Sequence, residues 1–194
     1  MFSGLIKQTG TLEYQGGHHI RVSTPYFKVK MGDSIAINGV CLTVTAQRKK
    51  GRSVEWGFDI SDETLEKTTI RGWMRGQRLN IEPALKLSDS LGGHIVQGHV
   101  DGVGRLTKIT DKHSSREMWI ETSKDILNAI VPKGSITVDG VSLTAVKVRK
   151  TGFSVSLIPF TWKHTNLGNM KIGQTVNLEG DIIGKYVERY LKSK

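Results

Sequence analysis

An internal repeat constrains the fold more than any other feature of this chain. The segments GDSIAINGVCLTV (Gly32 to Val44) and KGSITVDGVSLTA (Lys133 to Ala145) carry the same pattern. Three more blocks recur in the same order, pairing FSGLIKQTGTL with VQGHVDGVGRL, ETLEKTTI with FTWKHTNL, and GQRLNIE with GQTVNLE. Four matching blocks in one order indicate a tandem duplication, so we expect the chain to fold as two similar units.

Each unit is expected to consist mostly of strands. The runs around Asn38-Gly39 and Asp139-Gly140 alternate β-branched residues with others, which is typical of strands. Both dipeptides suit a two-residue type I′ hairpin, in which each turn residue needs a positive φ. Many short strands at close spacing favour a small closed barrel, built twice.

Capping residues predict three short helices, which begin at Thr24 with Pro25, at Ser61 with Asp62 and at Ser123 with Asp125. A further helix is predicted after Asp181, where one face collects five apolar residues at helical spacing: Ile183, Tyr186, Val187, Tyr190 and Leu191. This helix has no counterpart in the first unit, and its stripe either packs on its own barrel or joins subunits. We expect units at 1–92 and 93–181, joined at Gly92-Gly93, and a terminal helix over 182–194.

Composition limits the cellular setting and the partners. The chain has 194 residues, one cysteine and no apolar run of signal-peptide or membrane-spanning length, which predicts a cytoplasmic protein without a membrane partner. Its net charge of +10 raises the alternative of nucleic-acid binding. The basic residues are dispersed and no aromatic-rich basic strand accompanies them, so a solvated basic surface is favoured and no nucleic-acid partner is expected.

The two units differ mainly at polar positions. Their unequal pairs are Leu5 and His99, Asn38 and Asp139, Cys41 and Ser142, and Ala84 and Asp181. The hydroxyl pairs are retained: Ser34 and Ser135, Thr43 and Thr144, Thr64 and Thr161, and Thr68 and Thr165. This pattern predicts two similar pockets for one polyhydroxy ligand, with the proton-handling groups placed unequally.

Two other kinds of site were weighed against these pockets. His94 and His99 suggest a metal, but five positions apart they lie on opposite faces of a straight strand, and no second cysteine is available, so no metal is expected. Cys41 is a candidate nucleophile, although a lone cysteine in a strand is most often a small buried hydrophobe. A lowered thiol pKa would be needed to make Cys41 reactive.

Six motifs run in order along the chain: MFSGLI, NGVCLTV, GGHIVQGHVDGVG, VDGVSLT, LIPFTWKHTNLG and VNLEGDIIGKYVERYL. Together they resemble riboflavin synthases of the α-chain type from end to end. The resemblance implies a mainly β fold of two tandem duplicated six-stranded β-barrels with short helices, plus a C-terminal α-helix. It further implies a homotrimer joined through that helix, with an association with lumazine synthase known for some relatives.

The resemblance also implies a reaction. Two molecules of 6,7-dimethyl-8-ribityllumazine share one site, and one gives a four-carbon unit to the other, forming riboflavin and 5-amino-6-ribitylamino-pyrimidinedione. No metal or other cofactor takes part. The enzyme has to hold two flat rings face to face, remove a proton from the C7 methyl group of one and supply a nucleophile or activated water for the other. A duplicated binding unit is a direct way to hold two copies of one substrate.

The same resemblance assigns residues. In the first barrel it implies a pocket of Ser34, Cys41, Thr43, Ser61, Glu63 and Thr64. Around the other lumazine it implies Gly98, His99, Lys133, Asp139, Ser142, Thr144, Ile158, Pro159, Thr161 and Asp181. Phe2, Ser3 and Gly4 are expected to close over the site. The implied catalytic set is His99 for proton transfer, with Cys41, Ser142 and Asp181.

The main alternative is a non-catalytic lumazine- or flavin-binding protein of the same superfamily. Those relatives keep the first pocket and degrade the second. Here the motifs GGHIVQGH, VDGVSLT and the Asp181 segment are intact, which favours the enzyme.

Overall fold

The computed structural model describes residues 1–193 and contains two closed, antiparallel six-stranded barrels, as predicted. The first barrel comprises β1 (Gln8–Gly16), β2 (His19–Pro25), β3 (Ser34–Ile37), β4 (Val40–Lys50), β5 (Ser53–Asp59) and β6 (Arg78–Pro83). The second comprises β7 (Gly102–Asp111), β8 (Arg116–Glu121), β9 (Ser135–Val138), β10 (Val141–Val148), β11 (Gly152–Leu157) and β12 (Thr175–Gly180). Strands pair in the ring β1-β2-β5-β4-β3-β6 and in the equivalent ring β7-β8-β11-β10-β9-β12, so the duplication extends to the topology.

Alternation along the strands decides which side chains fill each barrel. In β4 the side chains of Val40, Leu42 and Val44 are buried, while Cys41 is half-buried and Thr43 is exposed. Successive strand residues point to opposite faces, so the apolar set fills the barrel and the polar set lies on its outer wall. The sequence pattern therefore places Cys41 and Thr43 where a ligand can reach them.

The helices agree with the predictions at three of four places. α1 (Asp62–Lys67), α2 (Lys124–Asn128) and α4 (Ile182–Lys192) follow Ser61, Ser123 and Asp181, and α3 (Pro159–His164) is the second-repeat equivalent of α1. The helix predicted at Thr24-Pro25 is wrong, because those residues end β2 and an irregular segment follows. Trp56 Nε1 donates a 2.9 Å hydrogen bond to Thr24 Oγ1, so this hydroxyl anchors a core tryptophan.

The stripe on α4 stays exposed. Its five apolar residues keep between 54% and 73% of their surface accessible. The interpretation that this face packs on its own barrel is therefore wrong, and an apolar surface of this size favours a contact with another subunit. No helix among residues 1–193 is long and apolar enough to cross a membrane.

The two hairpin turns have the predicted backbone and meet each other. Asn38, Gly39, Asp139 and Gly140 all have positive φ, at 45°, 78°, 46° and 79°. A Cβ on Gly39 would lie 2.6 Å from the backbone nitrogen of Gly140, and a Cβ on Gly140 would lie 2.7 Å from that of Gly39. The turns thus stack on the pseudo-twofold axis between the barrels with no room for a side chain.

Replacing Gly39 with alanine is expected to lower the free energy of unfolding by about 3 kcal/mol, from the positive φ and the clash with Gly140 together. Gly17→Ala is the matched control, because Gly17 also has a positive φ of 55° but has nothing within 4 Å of its would-be Cβ. Urea unfolding of both variants measures the difference. Equal losses in the two variants would mean that the turns do not need their close contact.

A buried polar network joins the barrels beside these turns. Asn80 Nδ2 donates to the carbonyl of Asp139, and Asn177 Nδ2 donates to the carbonyl of Asn38, both at 2.8 Å. Asn166 Nδ2 lies 2.7 Å from Asp139 Oδ2 and 3.3 Å from Asn38 Oδ1. Each barrel therefore satisfies the turn of the other, which fixes how the two units are oriented.

Candidate active site

Two equivalent hairpins carry the retained hydroxyl residues. In the first barrel Ser34 and Thr43 are cross-strand partners on β3 and β4, two pairs along from Ala36 and Cys41 and therefore on the same face. In the second barrel Ser135 pairs with Thr144 on β9 and β10, two pairs along from Thr137 and Ser142, so the repeat is maintained. The structure thus brings together the predicted residues Ser34, Cys41 and Thr43 on one wall, and Ser142 and Thr144 on the other.

Each hairpin is flanked by a segment from the other half of the chain. The backbone nitrogen of Cys41 donates to the carbonyl of Gly98 at 2.9 Å, and that of Ser142 donates to the carbonyl of Gly4 at 2.8 Å. Would-be Cβ atoms on Gly98 and Gly4 lie 2.6 Å from the Cβ atoms of Cys41 and Ser142. Only glycine allows this approach, and both glycines also have positive φ.

His99 lies next to a residue that bonds to both barrels. The resemblance places His99 around the second lumazine. Its neighbour Gly98 accepts a bond from Cys41 N of the first barrel and donates one from its own nitrogen to Glu179 of the second. The side chain of His99 is exposed, and the equivalent residue of the first repeat is Leu5. The bond to Cys41 makes the first pocket the alternative to the placement that the resemblance implies.

Two buried carboxylates hold the crossing segments. Glu82 Oε1 accepts bonds from Ser3 N and Oγ at 2.8 Å, and Glu82 Oε2 accepts one from Gly4 N at 3.1 Å. In the second repeat Glu179 accepts from the backbone nitrogens of Gln97 and Gly98 at 2.8 and 2.9 Å. Burial raises the pKa of both carboxyl groups, against the opposing effect of these hydrogen bonds. Neither glutamate was predicted, although both stand at the ends of the repeated blocks NIE and NLE.

Phe2 and Ser3 support the site from inside. Phe2 is fully buried and forms a backbone bridge with Val96, and Ser3 is 1% exposed. The expectation that these two side chains close over the site from outside is wrong, because both side chains are buried inside the protein. They fix the position of Gly4 instead.

In each barrel a short helix follows the fifth strand and carries hydroxyl residues. Ser61 caps α1, accepting a bond from the backbone nitrogen of Thr64, and the two side-chain oxygens lie 2.9 Å apart. Glu63 is exposed in the first turn. In α3 the cap position is Ile158, followed by Pro159 at the first turn, with a half-buried Thr161 at the position of Thr64.

A histidine that the sequence assigned no role contacts the second pocket. His94 Nδ1 lies 2.7 Å from Ser142 Oγ, and His94 Nε2 lies 3.3 Å from Thr137 Oγ1. Burial lowers the pKa of His94, partly offset by the charge of Asp181, so the ring is favoured in its neutral form. A neutral ring that donates from Nε2 to Thr137 accepts the Ser142 hydroxyl proton at Nδ1, which favours a polarised serine.

Lys133 and Asp181 lie at the edge of the second hairpin. Lys133 occupies the position of Gly32 and has a φ of 69°. This φ is strained for a residue with a side chain, and such strain is commonly found at functional sites. Asp181 caps α4 by accepting a 3.0 Å bond from Ile183 N. Asp181 and Ser135 also line a cavity of about 600 Å³ against the apolar face of α4.

Asp139 lies apart from the two pockets. Its Oδ1 accepts a 2.8 Å bond from Asn177 N and its Oδ2 accepts from Asn166, with 3% of the residue exposed. Burial raises the pKa of Asp139 to about 7. Both oxygens are used in the junction between the barrels, which argues for a structural role rather than a substrate contact. Among residues 1–193 no group of three or more His, Cys, Asp or Glu side chains could hold a metal ion.

Solved structures share this fold. The complex of LumP with riboflavin has a TM-score of 0.79 at 24% identity, over 93% of this chain and 99% of that chain. The complex of LumP with 6,7-dimethyl-8-(1'-D-ribityl) lumazine has a TM-score of 0.77, also at 24% identity, over 92% and 98% of the chains. At this level of identity the likeness shows the architecture and nothing finer.

The relatives found by sequence identify the family. The family model described as the lumazine binding domain matches twice, at residues 3–84 and 97–181. Riboflavin synthase of Actinobacillus pleuropneumoniae is 42% identical, over 100% of this chain and 91% of that protein. The enzymes of Bacillus subtilis (strain 168) and Mycobacterium bovis are 39% and 38% identical, over 98% and 100% of this chain and 90% and 99% of theirs. Two matched domains and full-length relatives show that the chain belongs to the riboflavin synthase family of lumazine-binding enzymes.

Proposed function

We propose that the chain converts two molecules of 6,7-dimethyl-8-ribityllumazine into riboflavin and 5-amino-6-ribitylamino-pyrimidinedione by transfer of a four-carbon unit. The observation that carries the proposal is the pair of equivalent hairpins, one with Cys41 and one with Ser142, each bonded to a glycine of the other repeat. Two copies of one substrate need two similar pockets, and the unequal polar groups let one copy act as donor and the other as acceptor.

The residues of the two pockets are suited to different chemical roles. In the first pocket the exposed His99, which follows the Gly98 that bonds to Cys41, is suited to proton transfer, because a neutral imidazole has both a proton donor and an acceptor. In the second pocket the pair His94 and Ser142 is suited to polarise a hydroxyl group against the other lumazine. The hydroxyl residues Ser34, Thr43, Ser61 and Thr64, with Thr144 and Thr161, are suited to the ribityl chains. The carbon transfer is a dismutation between identical substrates, so it needs neither a redox cofactor nor a metal.

We infer a homotrimer in which the first-barrel pocket of one subunit faces the second-barrel pocket of the next. The two pockets of one chain lie on hairpins whose turns meet back to back at Gly39 and Gly140. Rings bound on such hairpins stack more readily with those of a neighbouring subunit, and the exposed stripe on α4 supplies an apolar surface for assembly. We further propose a cytoplasmic enzyme, without nucleic-acid or membrane partners, that can associate with lumazine synthase.

The direct test is to mix the purified protein with 6,7-dimethyl-8-ribityllumazine alone and to follow riboflavin absorbance and fluorescence. Riboflavin formation without an added cofactor is the expected result. Tight binding of lumazine with no product would instead support a non-catalytic lumazine-binding protein.

His99→Ala is expected to lower turnover by at least about 100-fold while leaving lumazine binding within a fewfold of wild type, because the hydroxyl residues stay in place. Cys41→Ser, which copies Ser142, is expected to lose most of its turnover with the same retention of binding. His113→Ala, an exposed histidine in the turn after β7, is the control and should keep full activity. Steady-state rates and fluorescence titration separate the two effects, and full turnover at either position would remove that residue from the mechanism.

A further inference from the structure

The junction between the barrels contains a second concave surface. Beyond Asn38 and Asp139 the two units enclose a cavity of about 650 Å³, which we call the inter-barrel cleft. Its opposite walls come from equivalent turns of the two repeats, at 74–77 and 171–174. Its lining includes none of Cys41, Thr43, Ser142 or Thr144, so the cleft is separate from the hairpin pockets.

Both walls present free amide donors. Gln77 Oε1 accepts a 3.1 Å bond from Met74 N, and Gln174 Oε1 accepts a 2.8 Å bond from Lys171 N. These bonds close the two turns in the same way and use up the glutamine oxygens. The side-chain NH₂ groups of Gln77 and Gln174 have no partner among residues 1–193. These two side chains can therefore donate hydrogen bonds to a ligand.

Three arginines line the same cleft without a carboxylate partner among the described residues. Arg78 is held by bonds from Nε to Thr9 Oγ1 at 3.1 Å and from Nη2 to the carbonyl of Lys163 at 3.3 Å. Arg105 Nη1 donates to the carbonyl of Gly173 at 2.8 Å, and Arg75 has no protein partner within residues 1–193. Two guanidinium groups are thus fixed in position while keeping unused N–H groups.

The acceptors at the floor of the cleft are already occupied. Both carboxylate oxygens of Asp139 and the side-chain oxygen of Asn38 receive bonds from within the barrel junction. Asn166 Oδ1 receives one from Asn80 Nδ2. The cleft therefore combines unpaired positive charge with an excess of donors, which is the chemistry that recognises an oxyanion.

We propose that the inter-barrel cleft binds a small molecule that carries a phosphate group. The planar arginine fork matches phosphate oxygens, and the cleft is large enough for a phosphate ester as well as a free phosphate. Neither lumazine nor riboflavin carries phosphate, so this ligand is neither substrate nor product of the dismutation. This site is separate from the proposed function, and the failure of either proposal would leave the other unaffected.

Isothermal titration calorimetry of the full-length protein at low ionic strength tests the site, with pyrophosphate and adenosine monophosphate as probes. Saturable binding of one equivalent per chain is expected for at least one probe. Tighter binding of the nucleotide would identify a phosphate ester as the ligand class, and tighter binding of pyrophosphate would identify inorganic phosphates. The variant R75Q/R105Q is expected to bind at least about tenfold more weakly.

The control variant R48Q/R52Q removes the same number of charges from exposed positions on the first barrel and should bind within about twofold of wild type. Arg75→Gln alone breaks no hydrogen bond of the protein and should already weaken phosphate binding. This single variant therefore tests the site even if the double variant misfolds. No saturable binding, or equal losses in the test and control variants, would overturn the proposal. Preferential binding of short single-stranded RNA in competition with both probes would overturn it as well.

Discussion

Equal mixing of two inactive variants, Thr43→Trp and Thr144→Trp, is expected to restore about a quarter of wild-type activity. Thr43 and Thr144 are equivalent, exposed positions on β4 and β10, so each tryptophan fills one pocket and leaves the barrel interior unchanged. In a head-to-tail ring a working site needs an intact first pocket from one subunit and an intact second pocket from the next. Random assembly supplies each with a probability of about one half.

The measurement is riboflavin formation after subunit exchange, which native mass spectrometry with an isotope-labelled partner can verify. A matched mixture of Cys41→Ser with His99→Ala should stay inactive, because we propose that both residues act in the same first-barrel pocket. Ending the chain after Asp181 removes α4 and should abolish the rescue. An inactive Thr43/Thr144 mixture with proven exchange would contradict a site between subunits.

Much of the fold follows from local signals. Asn-Gly and Asp-Gly set the hairpins, since both turn residues need positive φ and the structure has φ values of 45° at Asn38 and 46° at Asp139. The repeat predicted two similar pockets, and alternation along β4 explains why Cys41 and Thr43 lie on the outer wall of the first barrel. The error at Thr24 has a physical cause, because a hydroxyl group that could cap a helix instead accepts the indole of Trp56.

The site could be predicted only in part, because its remaining contacts join distant segments. The bonds from Cys41 to Gly98 and from Ser142 to Gly4 leave no periodic trace in the sequence, so the sequence does not show that the segment before His99 contacts the first barrel. His94 was weighed only as a metal ligand, whereas its partner Ser142 is a residue 48 positions away.

Asp139 illustrates how one position of the repeat can change its role. In the first repeat the equivalent Asn38 accepts bonds from Asn80 N and from Asn166, and no charge is involved. In the second repeat a carboxylate stands in the same junction, where it accepts from Asn177 N and Asn166. A buried group of this kind links the stability of the two-barrel unit to pH.

The free energy of unfolding is expected to fall by up to about 4 kcal/mol through Asp139 as the pH rises from about 4 to about 7. Burial raises the pKa of Asp139 to about 7 from its ordinary value of 3.8. The folded protein therefore binds more protons than the unfolded chain in this window, so this contribution to stability is complete below pH 3.8 and is lost as the pH passes 7. Glu82 and Glu179, whose pKa values burial also raises, add a slope of the same sign.

Asp139→Asn removes the titrating group and should flatten the slope of unfolding free energy against pH. The new amide can face the donor Asn166 Nδ2, which would lower stability equally at every pH and leave the slope unaffected. Urea unfolding at fixed protein concentration, from about pH 4 to pH 8, gives the two slopes. Their difference isolates Asp139, because Glu82 and Glu179 are unchanged in both proteins. Asp125→Asn, at an exposed position of α2, should leave the wild-type slope intact. Identical slopes in wild type and Asp139→Asn would show that the carboxyl group titrates in the folded protein as it does in the unfolded chain.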